Sequence, residues 1–316
     1  MTVRVTALGG GRGLAATLRA LRRLDQVEVA VTAIVSVADD GGSTGRLRAE
    51  LGIPAPGDVR KCLVALSDDE TWAAACEHRF GAGSLRGHSL GNLLLAGLAE
   101  HLGDFRAAVE ILAALLHTCG RVLPAALEPV TLVAALADGR EVRGQVAVQE
   151  AEGRIRSVRL DPAPDAPPEA VAAVTEADLV LLAPGSLYTS LLPVLGSRGI
   201  AEALRATAAP VVQIGNLAAQ IPETAGLEVA DHVRAVVDHG GRVDVYLHPA
   251  DATVPLDAAA LPPTVELRGD DALGSGDGRT HDVGRLARAL AALLASTARG
   301  GTGSGGDRAR ERGGTR

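Results

Sequence analysis

Apolar positions along the chain alternate between two rhythms. Thr2 to Leu8 is a short β-branched run that ends at Gly9-Gly10-Gly11-Arg12-Gly13. Leu14, Leu18 and Leu21 then recur at helical spacing over 14–24, with arginines on the opposite face. Val29 to Val37 is apolar almost throughout, the pattern of a strand covered on both faces of a parallel sheet. Strand, glycine turn, helix, strand predicts a βαβ opening. Helical spacing continues over 58–67, 72–80, 89–102 and 104–116. Between 130 and 160 the period shortens. Val130 to Leu136, the turn Asp138-Gly139 and Glu141 to Val148 predict a hairpin, with Arg154 to Leu160 as a third strand. Beyond the proline-rich stretch 162–168, strands are predicted at 178–182, 211–214 and 243–247, and helices at 187–195 and 230–239.

This is an α/β pattern: a Rossmann-like parallel sheet with helices on both faces, a helical insertion and a small β-hairpin excursion. Residues 1–250 are expected to form a nucleotide-binding domain and 251–298 a C-terminal extension with a helix. From residue 299 the chain is glycine-rich and charged without apolar period, which predicts a disordered tail. Its hydroxyls, Thr302, Ser304 and Thr315, are open to a kinase.

Composition narrows the function classes. Aromatic residues are 2% of the chain: Trp72, Phe80, Phe105, Tyr188 and Tyr246. The core must therefore be aliphatic, and base stacking on nucleic acid is short of rings. A net charge of -7 supplies no basic field for a phosphate backbone, so no nucleic-acid partner is expected. Lys61 is the only lysine. The three cysteines, Cys62, Cys76 and Cys119, show neither CxxC spacing nor a Cys/His cluster, which fits a reducing compartment. The opening MTVRVTALGGG reaches glycine too early for a signal peptide, and no stretch of about 18 uncharged apolar residues is present. A cytoplasmic protein without membrane insertion is expected.

Six segments carry candidate chemistry. In Gly9 to Leu14, glycines between strand and helix let backbone N–H groups approach a phosphate at a helix N-terminus. A tight turn needing glycine for steric reasons is the alternative. The loop is neither a full GxGxxG fingerprint nor a Walker A sequence. In Ala38 to Arg46, Asp39 and Asp40 stand at a strand end before Gly41-Gly42, suiting a hard cation that keeps waters and bridges phosphates. Adjacent side chains diverge, so at most one touches a metal. Asp39 alternatively holds a ribose hydroxyl, and a solvated turn capping a helix near Ser43 is the plainer reading. In Pro54 to Cys62, an N-cap explains Asp58, but Arg60 and Lys61 in a first helical turn oppose the macrodipole and suggest an anionic ligand. His88 and Asn92 in Gly87 to Asn92 are placed to face one cleft, with Ser89 as an N-cap. Ala183 to Ser190 presents backbone and hydroxyl donors, Gly185 and Ser186 among them, at another strand end. The sixth segment, Gly215-Asn216 with Gln220 and Glu223 beyond, is weaker.

Taken in order, GGGRGL, VADDGGSTGRLR, PAPGDVRKCLVALSD, RGHSLGNLLLAGL, GDF, ADLVLLAPGSLYTSLLP, GNLAAQ and ADHVRAV resemble the bacterial gluconeogenesis factor family of the CofD-like superfamily, from about Val3 to Val245. The resemblance implies a Rossmann-type protein that binds uridine-diphosphate sugars, notably UDP-N-acetylglucosamine. It also implies a role in cell shape and peptidoglycan synthesis on gluconeogenic carbon sources. The superfamily includes 2-phospho-L-lactate transferase, a magnesium-dependent enzyme acting on a nucleotide-linked phospholactate. Carried over, Asp40 and Asp58 lie in the segments that hold magnesium in the transferase relatives. Gly10, Gly11, Arg12, Gly13, Asp39, Arg60, Lys61, His88, Asn92, Gly185, Ser186 and Asn216 are the expected nucleotide-binding residues. Arg12 replaces the usual threonine, Ala183 a glycine, and Gln220 to Glu223 a QPGE-like stretch.

A UDP-sugar-binding regulator without turnover is the leading reading, and no catalytic residue is assigned. A magnesium-dependent transferase is the alternative, and an NAD-binding oxidoreductase the third, disfavoured by the incomplete glycine fingerprint. A homo-oligomer is expected, with partners in cell-wall synthesis or among kinases.

Overall fold

The computed structural model describes residues 2–269 and 271–300. The opening follows the predicted rhythm: β1 (Val3–Gly9), α1 (Gly11–Leu21) and β2 (Val29–Val35). Then come α2 (Gly42–Leu51), α3 (Pro56–Ala65), α4 (Glu70–Glu77), α5 (Leu90–Leu102) and α6 (Phe105–Leu115) before β3 (Arg121–Pro124). The excursion holds β4 (Thr131–Leu136), β5 (Glu141–Arg143), α7 (Gln145–Gln149) and β6 (Ile155–Asp161). The second half alternates through α8 (Pro168–Thr175), β7 (Leu179–Leu182), a π-helical turn Leu187–Leu191 running into α9 (Leu192–Leu195), and α10 (Ile200–Ala206). It closes with β8 (Val211–Ile214), α11 (Val229–Asp238), β9 (Val245–Leu247), β10 (Glu266–Arg268) and α12 (Val283–Gly300).

Seven strands form one sheet in the order β10-β9-β8-β7-β1-β2-β3, with every pairing parallel. β1 lies inside it, with Ala7 opposite Ala33 on one side and Leu181 on the other. Its neighbour β7 is buried at all four positions, as a strand with both faces covered requires. Leu14, Leu18 and Leu21 of α1 are buried, and Arg19 is exposed. The helix packs against α3 and α12.

Tertiary context departs from the local pattern in several places. The second hairpin arm, predicted through Val148, stops at Arg143. Gly144 turns the chain at φ 100°, and the amides of Gln145 and Val146 donate to the Asp40 carboxylate, both at 2.9 Å. A helix start is satisfied there by a side chain over 100 residues away, so no local rhythm announces it. β4 pairs antiparallel with both β5 and β6 in the three-stranded excursion. β3, α8, α10 and β10 are elements the rhythm leaves unassigned. The segment after residue 250 adds β10 beside β9 and lays α12 against α1. Of the tail expected to be disordered from residue 299, Arg299 and Gly300 close α12, and residues 301–316 lie outside the described residues. No described helix is long and apolar enough to cross a membrane.

Candidate functional site

From β1 the chain proceeds outward to β2 and β3 on one side, and from β7 to β8, β9 and β10 on the other. The loops leaving the carboxyl ends of β1 and β7 therefore diverge and open the crevice in which doubly wound sheets bind ligands. The first, second, fifth and sixth candidate segments all leave this edge.

Gly10 and Gly11 meet the third segment. The Gly11 amide donates to Asp58 Oδ2 at 2.7 Å, and Lys61 Nζ lies 2.9 Å from Oδ1. A Cβ on Gly10 would stand 2.6 Å from Asp58 Oδ2. Gly11 has φ 62°, a left-handed conformation that glycine adopts without steric cost. Gly13 is the tightest position, since its Cβ would fall 1.7 Å from Pro184 O. Arg12 is exposed on the first turn of α1. The Arg12 and Gly13 amides belong to that turn, where N–H groups lack intrahelical acceptors.

The adjacent acids separate. Asp39 accepts the Gly41 amide at 2.9 Å, and its carboxyl is pushed above the usual range by burial and by the nearby Asp58. Asp40 faces the excursion, where it caps α7 and leaves no room for a Cβ on Gly144. The structure thus brings Asp39, not Asp40, beside Asp58, because successive side chains on extended backbone diverge. Among the described residues no group of three or more His, Cys, Asp or Glu side chains gathers for a metal. Two neighbouring carboxylates, Asp39 and Asp58, are of the chemistry that suits magnesium, which keeps waters and takes few protein oxygens.

Arg60 and Lys61, adjacent in sequence, also part. Lys61 joins Asp58, whereas Arg60 is only 1% exposed beneath α5. Its nearest acid is Glu77 at 3.6 Å, its Nε and Nη1 lack partners among the described residues, and burial lowers its pKa. A Cβ on Gly91 would press on its stem at 2.9 Å. The cation that sequence places toward an anion is therefore packed under a helix.

Ser43 joins the second and fourth segments. Its Oγ lies 3.0 Å from His88 Nδ1 and accepts from Asn92 Nδ2 at 3.2 Å. His88 is buried, which lowers its pKa, and Arg46 adds to the effect. Ser89 stands at the N-cap of α5, but its side chain makes no capping bond. The cluster fixes the start of α5 against the start of α2.

The fifth and sixth segments also meet. Asn216 grips the Gly185 peptide from both ends: Oδ1 accepts its N–H at 2.7 Å, and Nδ2 donates to its carbonyl at 2.8 Å. Ser186 is half-buried beside it. Glu223 accepts the amides of Tyr188 and Thr189 at 2.7 and 3.1 Å and the Thr189 hydroxyl at 3.2 Å. Those donors, expected to meet a ligand, are taken by an internal carboxylate whose own pKa is raised by burial. Glu223 carried only a weak sequence signal because its partners lie 34 and 35 residues away. A cavity of about 590 Å³ lies apart from these loops, lined by Arg156, Leu160, Leu195, Asp238 and His239 among others, and holds none of the predicted residues.

Residues 5–271 match the family described as 2-phospho-L-lactate transferase CofD. A putative gluconeogenesis factor of Thermotoga maritima is 44% identical over 233 residues, 73% of this chain and 74% of that protein. The gluconeogenesis factor of Bacillus subtilis is 46% identical over 241 residues, 75% of each. The crystal structure of a UPF0052-family protein from Bacillus halodurans superposes with a TM-score of 0.86 at 38% identity, covering 92% of this chain and 99% of the other. With this match along most of its length and this crevice at the centre of its sheet, the chain belongs to the CofD-like superfamily, within the gluconeogenesis factor group.

Proposed function

We propose that this protein binds a uridine-diphosphate sugar, UDP-N-acetylglucosamine, and acts as a regulator of cell shape and peptidoglycan synthesis during growth on gluconeogenic carbon. The observation that supports this reading most is the convergence of the loops after β1, β2, β7 and β8 on one crevice at the sheet's carboxyl edge. The Arg12 and Gly13 amides in the first turn of α1 and the exposed Arg12 side chain suit a diphosphate. The α2 and α5 starts, locked through Ser43, His88 and Asn92, add two more helix N-termini. Asp39 and Asp58 would hold magnesium, which neutralises phosphate charge when bound. This acidic pair also favours the second reading, a magnesium-dependent transferase.

Calorimetry with UDP-N-acetylglucosamine, UDP-glucose and NAD separates the readings. Binding of the first at micromolar affinity, with a raised melting temperature, is expected. No heat and no thermal shift at millimolar UDP-sugar would remove the proposal, and tighter binding of NAD would replace it. Mass spectrometry of the recovered ligand distinguishes regulator from transferase.

A further inference from the structure

The residues after 250 reach back to the carboxyl edge of the sheet. Gly274 and His281 pair across an antiparallel bridge, and Asp251 accepts the amides of Leu273 and Gly274 at 2.8 and 2.9 Å. Arg285, in the first turn of α12, donates to Gly274 O at 2.9 Å. This strap presents His281, 9% exposed, to the sixth segment, where its Nε2 lies 3.1 Å from Gly215 O. A carbonyl only accepts, so Nε2 carries the proton.

Gly215 is packed from a second side by Tyr246 of β9. The tyrosine is 1% exposed, and its hydroxyl packs against Gly215, beside Asn216. A Cβ on Gly215 would meet that hydroxyl and Pro249 Cδ, each at 2.8 Å. Asn216 in turn grips both ends of the Gly185 peptide. The preceding carbonyl, Pro184 O, fills the space that a side chain on Gly13 would need in the first turn of α1. From strap to glycine loop, the contacts run from His281 to Gly215, from Asn216 to Gly185 and from Pro184 to Gly13.

We propose that His281 and Tyr246 are positioning residues of the ligand site, holding Asn216 so that its amide clamps Gly185 against the first turn of α1. Neither residue touches the ligand in this scheme; each fixes the loop that does. The proposal rests on the UDP-sugar reading for its affinity arm only.

The experiment compares wild type, His281→Ala, His281→Gln and Tyr246→Phe in the full chain. Glutamine places an amide N–H close to the position of Nε2, so it restores the donor to Gly215 O. Phenylalanine keeps the ring and removes the hydroxyl that packs against Gly215. In ligand-free protein, hydrogen exchange at the Gly185 amide is expected to quicken in His281→Ala and Tyr246→Phe and to return to the wild-type rate in His281→Gln. UDP-N-acetylglucosamine affinity should fall by roughly three- to tenfold in the first two variants, the scale of one net hydrogen bond, with His281→Gln again close to wild type. Unchanged Gly185 exchange in both His281→Ala and Tyr246→Phe overturns the proposal. So does an affinity loss in His281→Gln equal to that in His281→Ala. If wild type binds no UDP-sugar, the functional reading falls and exchange alone decides the positioning role. If His281→Ala does not fold, Tyr246→Phe and His281→Gln carry the same comparison.

Discussion

Replacing Gly13 by alanine tests the closest packing in the site. The new Cβ would lie 1.7 Å from Pro184 O and 2.6 Å from the attached carbon, both backbone atoms. To restore ordinary contact, α1 and the loop after β7 must separate by more than about 1 Å in an interior packed at crystal-like density. Neither side is loose. Ala183 donates to Leu8 O at 2.9 Å, and Gly185 is clamped by Asn216. Overpacking costs roughly 1–3 kcal/mol, with the upper end expected where backbone must move. Helix propensity favours alanine by about 1 kcal/mol, which leaves a net loss of about 2 kcal/mol. Gly97→Ala in α5 is the control: nothing lies within 4 Å of its Cβ, so propensity acts alone and stabilises by about 0.5–1 kcal/mol. At roughly 2–4 °C per kcal/mol, thermal unfolding should show Gly13→Ala melting about 4–8 °C low and Gly97→Ala slightly high. The same titration that tests UDP-sugar binding should show weaker affinity for Gly13→Ala alone. A Gly13→Ala protein that melts with wild type, or two variants shifted in the same direction, would refute the packing argument.

Two further outcomes follow from individual groups. His232 in α11 is buried, with its Nε2 unpartnered among the described residues and its pKa pushed down to about 4 by burial. As pH falls through the unfolded value of about 6.5, the unfolded chain takes up the proton and the folded chain does not, so stability is lost from there down to about 4. His232→Leu should therefore lose about 2 kcal/mol less than wild type between pH 7 and pH 5 by urea unfolding, and parallel losses would contradict the assignment. The acids after β2 should also separate. Asp40→Ala removes the cap of α7 and costs about 1 kcal/mol while magnesium still strengthens UDP-sugar binding. Asp39→Asn relieves a buried charge, so it should stabilise the fold while erasing the difference between magnesium and chelator. The reverse pattern would return the metal to Asp40.

The sequence by itself determined β1, α1 and β2, the order of the polar segments and their places at element ends. Those features are local: period two or continuous burial marks a strand, period 3.6 marks a helix, and glycine marks the turn between them. Only the tertiary structure decided which segments meet. Asp58 reaches Gly11 across 47 residues, Asp40 reaches Gln145 across 105, and His281 reaches Gly215 across 66. Each contact depends on the strand order that sets one loop beside another, and strand order has no signature in any short window. β3 and β10, of four and three residues, are too short to show a period and became strands only by pairing at the sheet edges. Arg60 and Glu223 make the same point for charge. Their residue types suggest contact with a ligand, but packing placed one under α5 and the other on the Tyr188 and Thr189 amides. A side chain's chemistry can be read from the sequence, whereas its partner is set by the distances that folding imposes.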